Sequence, residues 1–527
     1  MLLSFKVDLN KIVTGKFFDK YFLSLLLILI VFSTLLRIAL LPNQVVFLSD
    51  TTRDISISKE ALVRHELPFT GSFSSAGPFV FGPAFYWFLM LTYFVAPSFL
   101  NAPWVTTLVI GILTVVALGY LGRVAGGARL GFILALLAAA SNQLVSISSS
   151  PTQHSYVAIF TVLALLFYSL FWKKNGSVIY STLMGASVGF ALSMHYQSLN
   201  LLFLLPLVFV VPKISIGKKV LAFFCAILGF LIVLSPLLIW DLKNDWANTR
   251  NLLDYLLIGQ HRVYVPNSWR LFLFSYFPTY WSLVLGGSRL VGLFLIFVVG
   301  AVFSYETIKR KINPLIFSLG IVFLMLSVLS RYYKGERFGG YQIYLAAFVI
   351  LFVGWALDEI IGFSFKKRAI NYFKNGLVFL FVGILIIANV YHLLPRIKST
   401  NSHLAQLNGV VDKIGKLYPD KKYFIYNFKG NNPDASFALS VLLTDKDKID
   451  KQGVKLGTCM TGACPDDLIT VSSLLTSSIV LLSQDDIKNP DWQEVSQEGI
   501  YDSNVVWLRN GNLKANFSLW SYIGERF

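Results

Sequence analysis

Apolar and polar positions are distributed along this chain on the length scale of a lipid bilayer. Nearly uninterrupted apolar runs occur at about 21–41, 104–122, 129–148, 155–172, 178–194, 199–211, 219–240, 288–304, 314–330, 341–361 and 376–395. Most of them approach the ~20 residues that a helix needs to cross a hydrocarbon core of about 30 Å. The pattern predicts a polytopic α-helical membrane protein with about 11 transmembrane helices over residues 1–395. The first run carries no small-residue cleavage site after it and is read as a retained span. A further run at 84–99 is ambiguous. Counting it as a span would invert every later loop, so it is assigned to a juxtamembrane or re-entrant helix within a long first outer loop, 42–103.

After residue 395 the pattern changes. Polar and charged residues become common, and Leu404, Leu407, Val411, Ile414 and Leu417 share one helical face, whereas "KYFIYNF", "SIVLLS" and "VVWLRN" read as short strands. Residues 396–527 are therefore expected to form a small extracytoplasmic α/β domain. Cys459 and Cys464 fall within it, and the spacing leaves a disulfide and two free thiols equally open.

Composition agrees with the membrane assignment: of 527 residues, 55% are hydrophobic and only 14% charged. The net charge of +17 would raise nucleic acid as a partner in a soluble protein. Here the cations cluster in alternate gaps between apolar runs: Lys6/Lys11/Lys16/Lys20, Arg123/Arg129, Lys173/Lys174, Lys213/Lys218/Lys219, Lys309/Arg310/Lys311 and Lys366/Lys367/Arg368/Lys374. This is an orientation signal. It predicts a cytoplasmic N-terminus, an extracytoplasmic C-terminal domain and no nucleic-acid partner. Cysteine and histidine are too few and too scattered for a zinc site.

Chemistry is expected where polar residues depart from this scheme. Directly after the first run the chain reads "LSDTTRDISISKEALVRH", an amphipathic helix with Ile55 and Leu62 on one stripe. Asp50 has the character of a helix cap, and Arg53 and Asp54 of first-turn charges. The same carboxylates, held beside a water-excluding cavity, have the character of a general base. Downstream, Gly77, Pro78, Gly82 and Pro83 in "GPFVFGPAFYWF" allow tight turns, and the aromatic residues that follow suit interface depth.

One span, an outer loop opening on Asp50, the "RD" helix, "LPFTGSFSSAGPFVFGPAFYWF" and about ten later spans together resemble the GT-C superfamily of glycosyltransferases. The similarity is to family 39-like members, related to protein O-mannosyltransferases and lipid A aminoarabinose transferases. It covers about 1–395 in topology and is specific in motif over 49–88, with weaker echoes in "SMHYQSLN" and "RYYKGERFGGYQIY". It departs from the family's frequent Asp-Glu pair, since Thr51 follows Asp50, and both Asp50 and Asp54 stay open as the base.

The resemblance implies a cell (plasma or inner) membrane enzyme that moves a monosaccharide from a polyprenyl-phosphate carrier to an acceptor hydroxyl on the outer face, with inversion. The acceptor class, whether lipid, glycan or protein, stays open. No cofactor is implied, and a divalent metal is not indicated. A departing lipid phosphate needs cations beside it. Arg331, Lys334 and Arg337, with Tyr341, are presented in the turn "RYYKGERFGGY", against the general trend of cations to the inside. Arg53, Arg262 and His195 are secondary candidates for substrate contact. The competing readings are a lipid-linked oligosaccharide polymerase or O-antigen ligase, and a transporter or flippase. The first is disfavoured by the few arginines in the 241–287 loop. The second is disfavoured by the near absence of charge within the spans, Arg37 lying toward an outer end.

Overall fold

A computed structural model describes residues 16–45, 49–74, 77–97, 101–259, 269–332 and 339–398, and in the C-terminal part the backbone of five short strands. The apolar runs are helices. Among the described residues, eight are long and apolar enough to cross a membrane: α1 (Lys16–Gln44, the candidate span ending at Leu41), α4 (Ala102–Gly126), α7 (Gln153–Lys173), α9 (Ile216–Lys243), α12 (Arg289–Ile308), α13 (Pro314–Tyr332), the stretch Ile343–Gly362 that contains α14 (Ala346–Gly362), and α15 (Arg368–Lys398). The remaining runs form shorter apolar elements: α5 (Ala128–Ala140) followed by α6 (Asn142–Ile147), α8 (Val178–Met194), and a 3-10 helix at Tyr196–Val210; α11 (Phe277–Val284) precedes α12. The chain is a multi-pass membrane protein.

The run 129–148 is not one continuous helix, and Ser141 is the reason. Its hydroxyl accepts the Leu144 N–H at 3.3 Å and donates to the Val284 carbonyl at 2.8 Å, which starts a new helix and holds it against a different part of the chain. The run at 84–99 contains α3 (Ala84–Val95), at 12 residues too short to span.

Two compact units can be distinguished. The first contains 1–41, 70–85 and 104–398; the second contains 42–69, 86–103 and 399–527. In the first, α1 buries Phe18, Phe22, Leu26, Leu29, Ser33, Leu36, Arg37 and Leu40 at helical spacing, while Leu23, Leu27, Leu35 and Ile38 face outward as lipid-facing side chains would. Helices α8 and α9 approach closely because Gly185 abuts the Ala226 carbonyl and Gly229 abuts the Thr182 carbonyl, where a Cβ would collide with backbone. The central element is α14, buried along most of its length. Phe348 and Phe352 stack on Phe323 of α13 with centroids 5.5 and 5.3 Å apart.

Two cations in this unit join helix ends. Arg129 Nε meets Asp358 Oδ1 at 2.5 Å and joins the start of α5 to the end of α14. Lys374 donates to the Ile360, Ile361 and Phe363 carbonyls, a cation at the negative end of α14.

The second unit contains α2 (Ser49–Arg64), α3 from Tyr86 onward and the strands. Tyr423–Lys429 pairs antiparallel with Ser478–Ser483 and parallel with Gly457–Thr458, and Glu494–Ser496 pairs antiparallel with Val506–Trp507. Three of these strands coincide with segments expected to be extended. The expected 404–417 helix and the Cys459–Cys464 segment lie outside the described residues.

Candidate active site

One polar assembly, within the second unit, is built on α2. This helix begins at Ser49, so Asp50 occupies its first turn rather than capping it, and the carboxylate still meets the positive end of the helix. The buried face is wider than the Ile55/Leu62 stripe: Thr51, Asp54, Ile55, Ser58 and Ala61 are all enclosed, at spacings of three and four. The hydroxyl of Ser58 returns to the Asp54 carbonyl at 2.7 Å, within the helix.

Asp50 and Asp54 thereby acquire different surroundings. Asp54 is 5% exposed and Asp50 is 78% exposed. Arg53 connects them: its Nη1 donates to Asp50 Oδ1 at 2.7 Å, and its Nε donates to Asp54 Oδ1 at 2.9 Å. The Tyr86 hydroxyl, fully buried on α3, donates to the same Asp54 oxygen at 3.1 Å. Burial alone pulls the Arg53 guanidinium down. The negative charge of Asp54 and the neighbouring Tyr86 and Asp50 outweigh it, and the net direction is well above the ordinary arginine value. The helix and its "RD" pair were legible in the sequence. Tyr86 is hidden in the sequence, because an aromatic residue in "AFYWF" reads as membrane-interface packing. The structure buries Phe85 and Tyr86 instead.

The first unit carries a separate polar assembly around residues 70–85. This segment folds back on itself, with the Gly71 N–H on the Phe81 carbonyl at 2.8 Å and the Phe81 N–H on the Ser72 carbonyl at 3.0 Å. It is held by distant side chains. Asn248 Oδ1 accepts the Val80 N–H at 2.7 Å, Tyr196 donates to the Val80 carbonyl at 2.6 Å, and Asn248 Nδ2 donates to the Tyr196 hydroxyl at 3.0 Å. Gln153 donates to Ser72 Oγ, and Ser193 Oγ accepts the Ala84 N–H at 3.2 Å.

Asn248 is itself fixed by Asp241. The buried carboxylate accepts the Asn248 N–H at 2.8 Å, the Thr249 N–H at 3.0 Å and the Thr249 hydroxyl at 2.5 Å, at the start of α10 (Ala247–Leu257). These supports lie 81 to 168 residues from the segment they hold. No local pattern announces them.

His195 terminates α8 and belongs to a ring cluster. Its centroid lies 4.6 Å from His154, 4.9 Å from Tyr341 and 5.2 Å from Phe81. Burial, with His154 alongside, holds His195 well below the ordinary histidine range, so the ring is neutral. Its Nδ1 accepts the Gln197 N–H at 3.4 Å, which assigns the proton to Nε2 and makes that atom the ring's donor.

Arg331 closes α13, nearly buried, with its guanidinium 5.1 Å from the centre of the Trp269 ring and 5.6 Å from that of Tyr332. Lys334, Arg337 and Arg262 lie outside the described residues. Among the described residues, no cluster of three or more His, Cys, Asp or Glu side chains is arranged to hold a metal ion.

Comparison with known proteins locates this arrangement. No protein-family model and no characterised sequence matches the chain. In fold it is similar to the Archaeoglobus fulgidus oligosaccharyltransferase in its apo form, at 15% identity and a TM-score of 0.52 over 76% of this chain and 59% of that one. It is also similar to ArnT from Cupriavidus metallidurans, at 13% identity and 0.53 bound to undecaprenyl phosphate, and at 14% and 0.54 in the apo state. Against those two ArnT structures the match covers 86% and 79% of this chain, and 97% and 84% of theirs. The chain spans only about three fifths of the oligosaccharyltransferase. What the chain shares with these proteins, at 13–15% identity, is the fold.

Proposed function

We propose that the protein is a membrane glycosyltransferase that transfers a monosaccharide from a polyprenyl-phosphate carrier to an acceptor hydroxyl, with Asp50 as general base. The observation that carries this reading is the inequality of the two carboxylates. Asp54 is buried and committed to Arg53 and Tyr86, whereas Asp50 is exposed and oriented by Arg53 through one oxygen. In the reaction Asp50 takes the acceptor proton while the acceptor oxygen bonds to the anomeric carbon. The bond from that carbon to the carrier phosphate breaks on the opposite side, its electron pair leaving with the phosphate and the configuration inverting. The departing group is a stable anion, so the chemistry asks for cations and does not require a metal.

Arg331, Lys334, Arg337 and Tyr341 are assigned to the phosphate, with Arg53 and Arg262 as secondary cations. A guanidinium held beside two aromatic rings, as Arg331 is, loses little entropy when it meets an oxyanion. His195 is assigned to substrate contact as a neutral donor. The N-terminus is assigned to the cytoplasm and the 396–527 domain to the outside of the cell membrane, with a lipid, glycan or protein acceptor reaching the site from there. The fuller coverage of ArnT than of the oligosaccharyltransferase favours a monosaccharide carrier over a lipid-linked oligosaccharide.

The test is radiolabel transfer by the purified protein from a panel of synthetic polyprenyl-phosphate monosaccharides. Transfer with inverted configuration from at least one of them supports the reading. Transfer only from a lipid-linked oligosaccharide points to a polymerase or ligase, and no sugar transfer with movement of lipid across vesicles points to a flippase.

A further inference from the structure

Within α2 and α3 the four polar side chains form one connected line. Tyr86 donates to Asp54 Oδ1, Arg53 Nε donates to that same oxygen, and Arg53 Nη1 donates to Asp50 Oδ1. Exposure rises along the line: Tyr86 is fully enclosed, Asp54 is 5% exposed, Arg53 16% and Asp50 78%. Residues adjacent in a helix do not normally face each other. The Arg53 side chain nonetheless turns back so that its inner nitrogen meets Asp54 and its outer one meets Asp50, which fixes the plane of the guanidinium.

We propose that Tyr86 and Asp54 are positioning residues, which hold Arg53 so that it orients the Asp50 carboxylate and sets the pH at which Asp50 accepts a proton. The proposal rests on Asp50 being the base. Asp54 is too enclosed to take that part, and its exposed neighbour is the only member of the line open to an acceptor. The groups that act on Arg53 are Asp54 and Asp50 on α2 and Tyr86 on α3. Their coupling makes opposite demands on two substitutions. Tyr86→Phe removes a donor from Asp54, which then draws Arg53 more strongly and leaves Asp50 less compensated, so Asp50 protonates at higher pH. Asp54→Asn removes a negative charge, which leaves Arg53 to Asp50 alone, so Asp50 protonates at lower pH.

The experiment is the pH dependence of sugar transfer, measured as kcat for wild type, Tyr86→Phe, Asp54→Asn and Asp50→Asn, each checked for an unchanged thermal unfolding midpoint. The acid limb of the profile should move to higher pH in Tyr86→Phe and to lower pH in Asp54→Asn. Tyr86→Phe should also lose about five-fold in kcat, the worth of one hydrogen bond, with KM for the donor little changed. Acid limbs that coincide with the wild type in both variants, while Asp50→Asn is inactive, overturn the positioning role and leave the base assignment standing. Full activity in Asp50→Asn overturns the base assignment itself, and the positioning role with it.

Discussion

The Tyr86 hydroxyl lies 3.1 Å from Asp54 Oδ1 across 32 residues of sequence, and that bond ties α3 to α2. Asp54 therefore has a structural value that Asp50 lacks. Asp54→Ala would leave the tyrosine hydroxyl and Arg53 Nε without that acceptor in an enclosed setting, a loss of about 3–5 kcal/mol. Asp50→Ala, at an exposed pair, should cost at most about 1 kcal/mol. Thermal unfolding in detergent of the two variants should show a clear drop for the first and little for the second.

The neutral state of His195 predicts a pH dependence of stability. Its folded pKa is depressed, so below the ordinary histidine value of 6.5 the unfolded chain takes up a proton that the folded ring does not. Stability should be full above that value and should fall as the pH is lowered through it, by at most ~1.4 kcal/mol per pH unit. His195→Phe should flatten this slope in unfolding midpoints measured between pH 5 and 8. An unchanged slope means that another group dominates.

Asp241 and Asn248 act on the 70–85 segment without touching the chemistry proposed here. Asp241→Ala strands three donors, and Asn248→Ala releases both the Val80 amide and the Tyr196 hydroxyl. Hydrogen exchange at the Val80 amide should accelerate in both variants. Exchange as slow as wild type in Asn248→Ala would show that the segment is held by its other contacts.

Arg37 is fully buried in α1, where its Nη1 donates to Ser33 Oγ at 2.5 Å, with longer contacts to the Ser33 and Ala139 carbonyls. No carboxylate pairs with it among the described residues. An enclosed guanidinium without a counter-ion does not favour the fold, so Arg37→Met should unfold at the same temperature or higher. A midpoint several degrees lower would show that its carbonyl contacts matter more than its desolvation.

The proposed orientation rests on the basic clusters and has its own check. A reporter active only outside the cytoplasm should work when fused after Phe527. Activity of a cytoplasm-only reporter at that position would change the number of crossings by one.

Much of the fold was legible because lipid imposes a simple rule on sequence. Apolar runs such as 219–240 and 376–395 became Ile216–Lys243 and Arg368–Lys398, extended by a few residues into polar flanks. The break at Ser141 was hidden because serine in an apolar run does not by itself stop a membrane helix. What stops it is the bond to the Val284 carbonyl, a partner 143 residues away. The site divides in the same way. Asp50, Arg53 and Asp54 are neighbours in sequence, so their helix could be read directly, but their unequal burial depends on Tyr86. The Asp241–Asn248–Val80 line joins segments that only tertiary structure brings together.

The most direct measurement is sugar transfer by Asp50→Asn. Asparagine keeps the size of the side chain and an oxygen that can accept from Arg53, so the folded yield and unfolding midpoint should match the wild type. It cannot take a proton from an acceptor hydroxyl, and loss of a general base costs about 10²–10⁴ in rate. A well-folded Asp50→Asn protein that has lost at least ~10² in kcat is the expected result. Wild-type transfer by Asp50→Asn together with loss in Asp54→Asn would move the base to Asp54, and wild-type transfer by both would contradict a catalytic role for this helix.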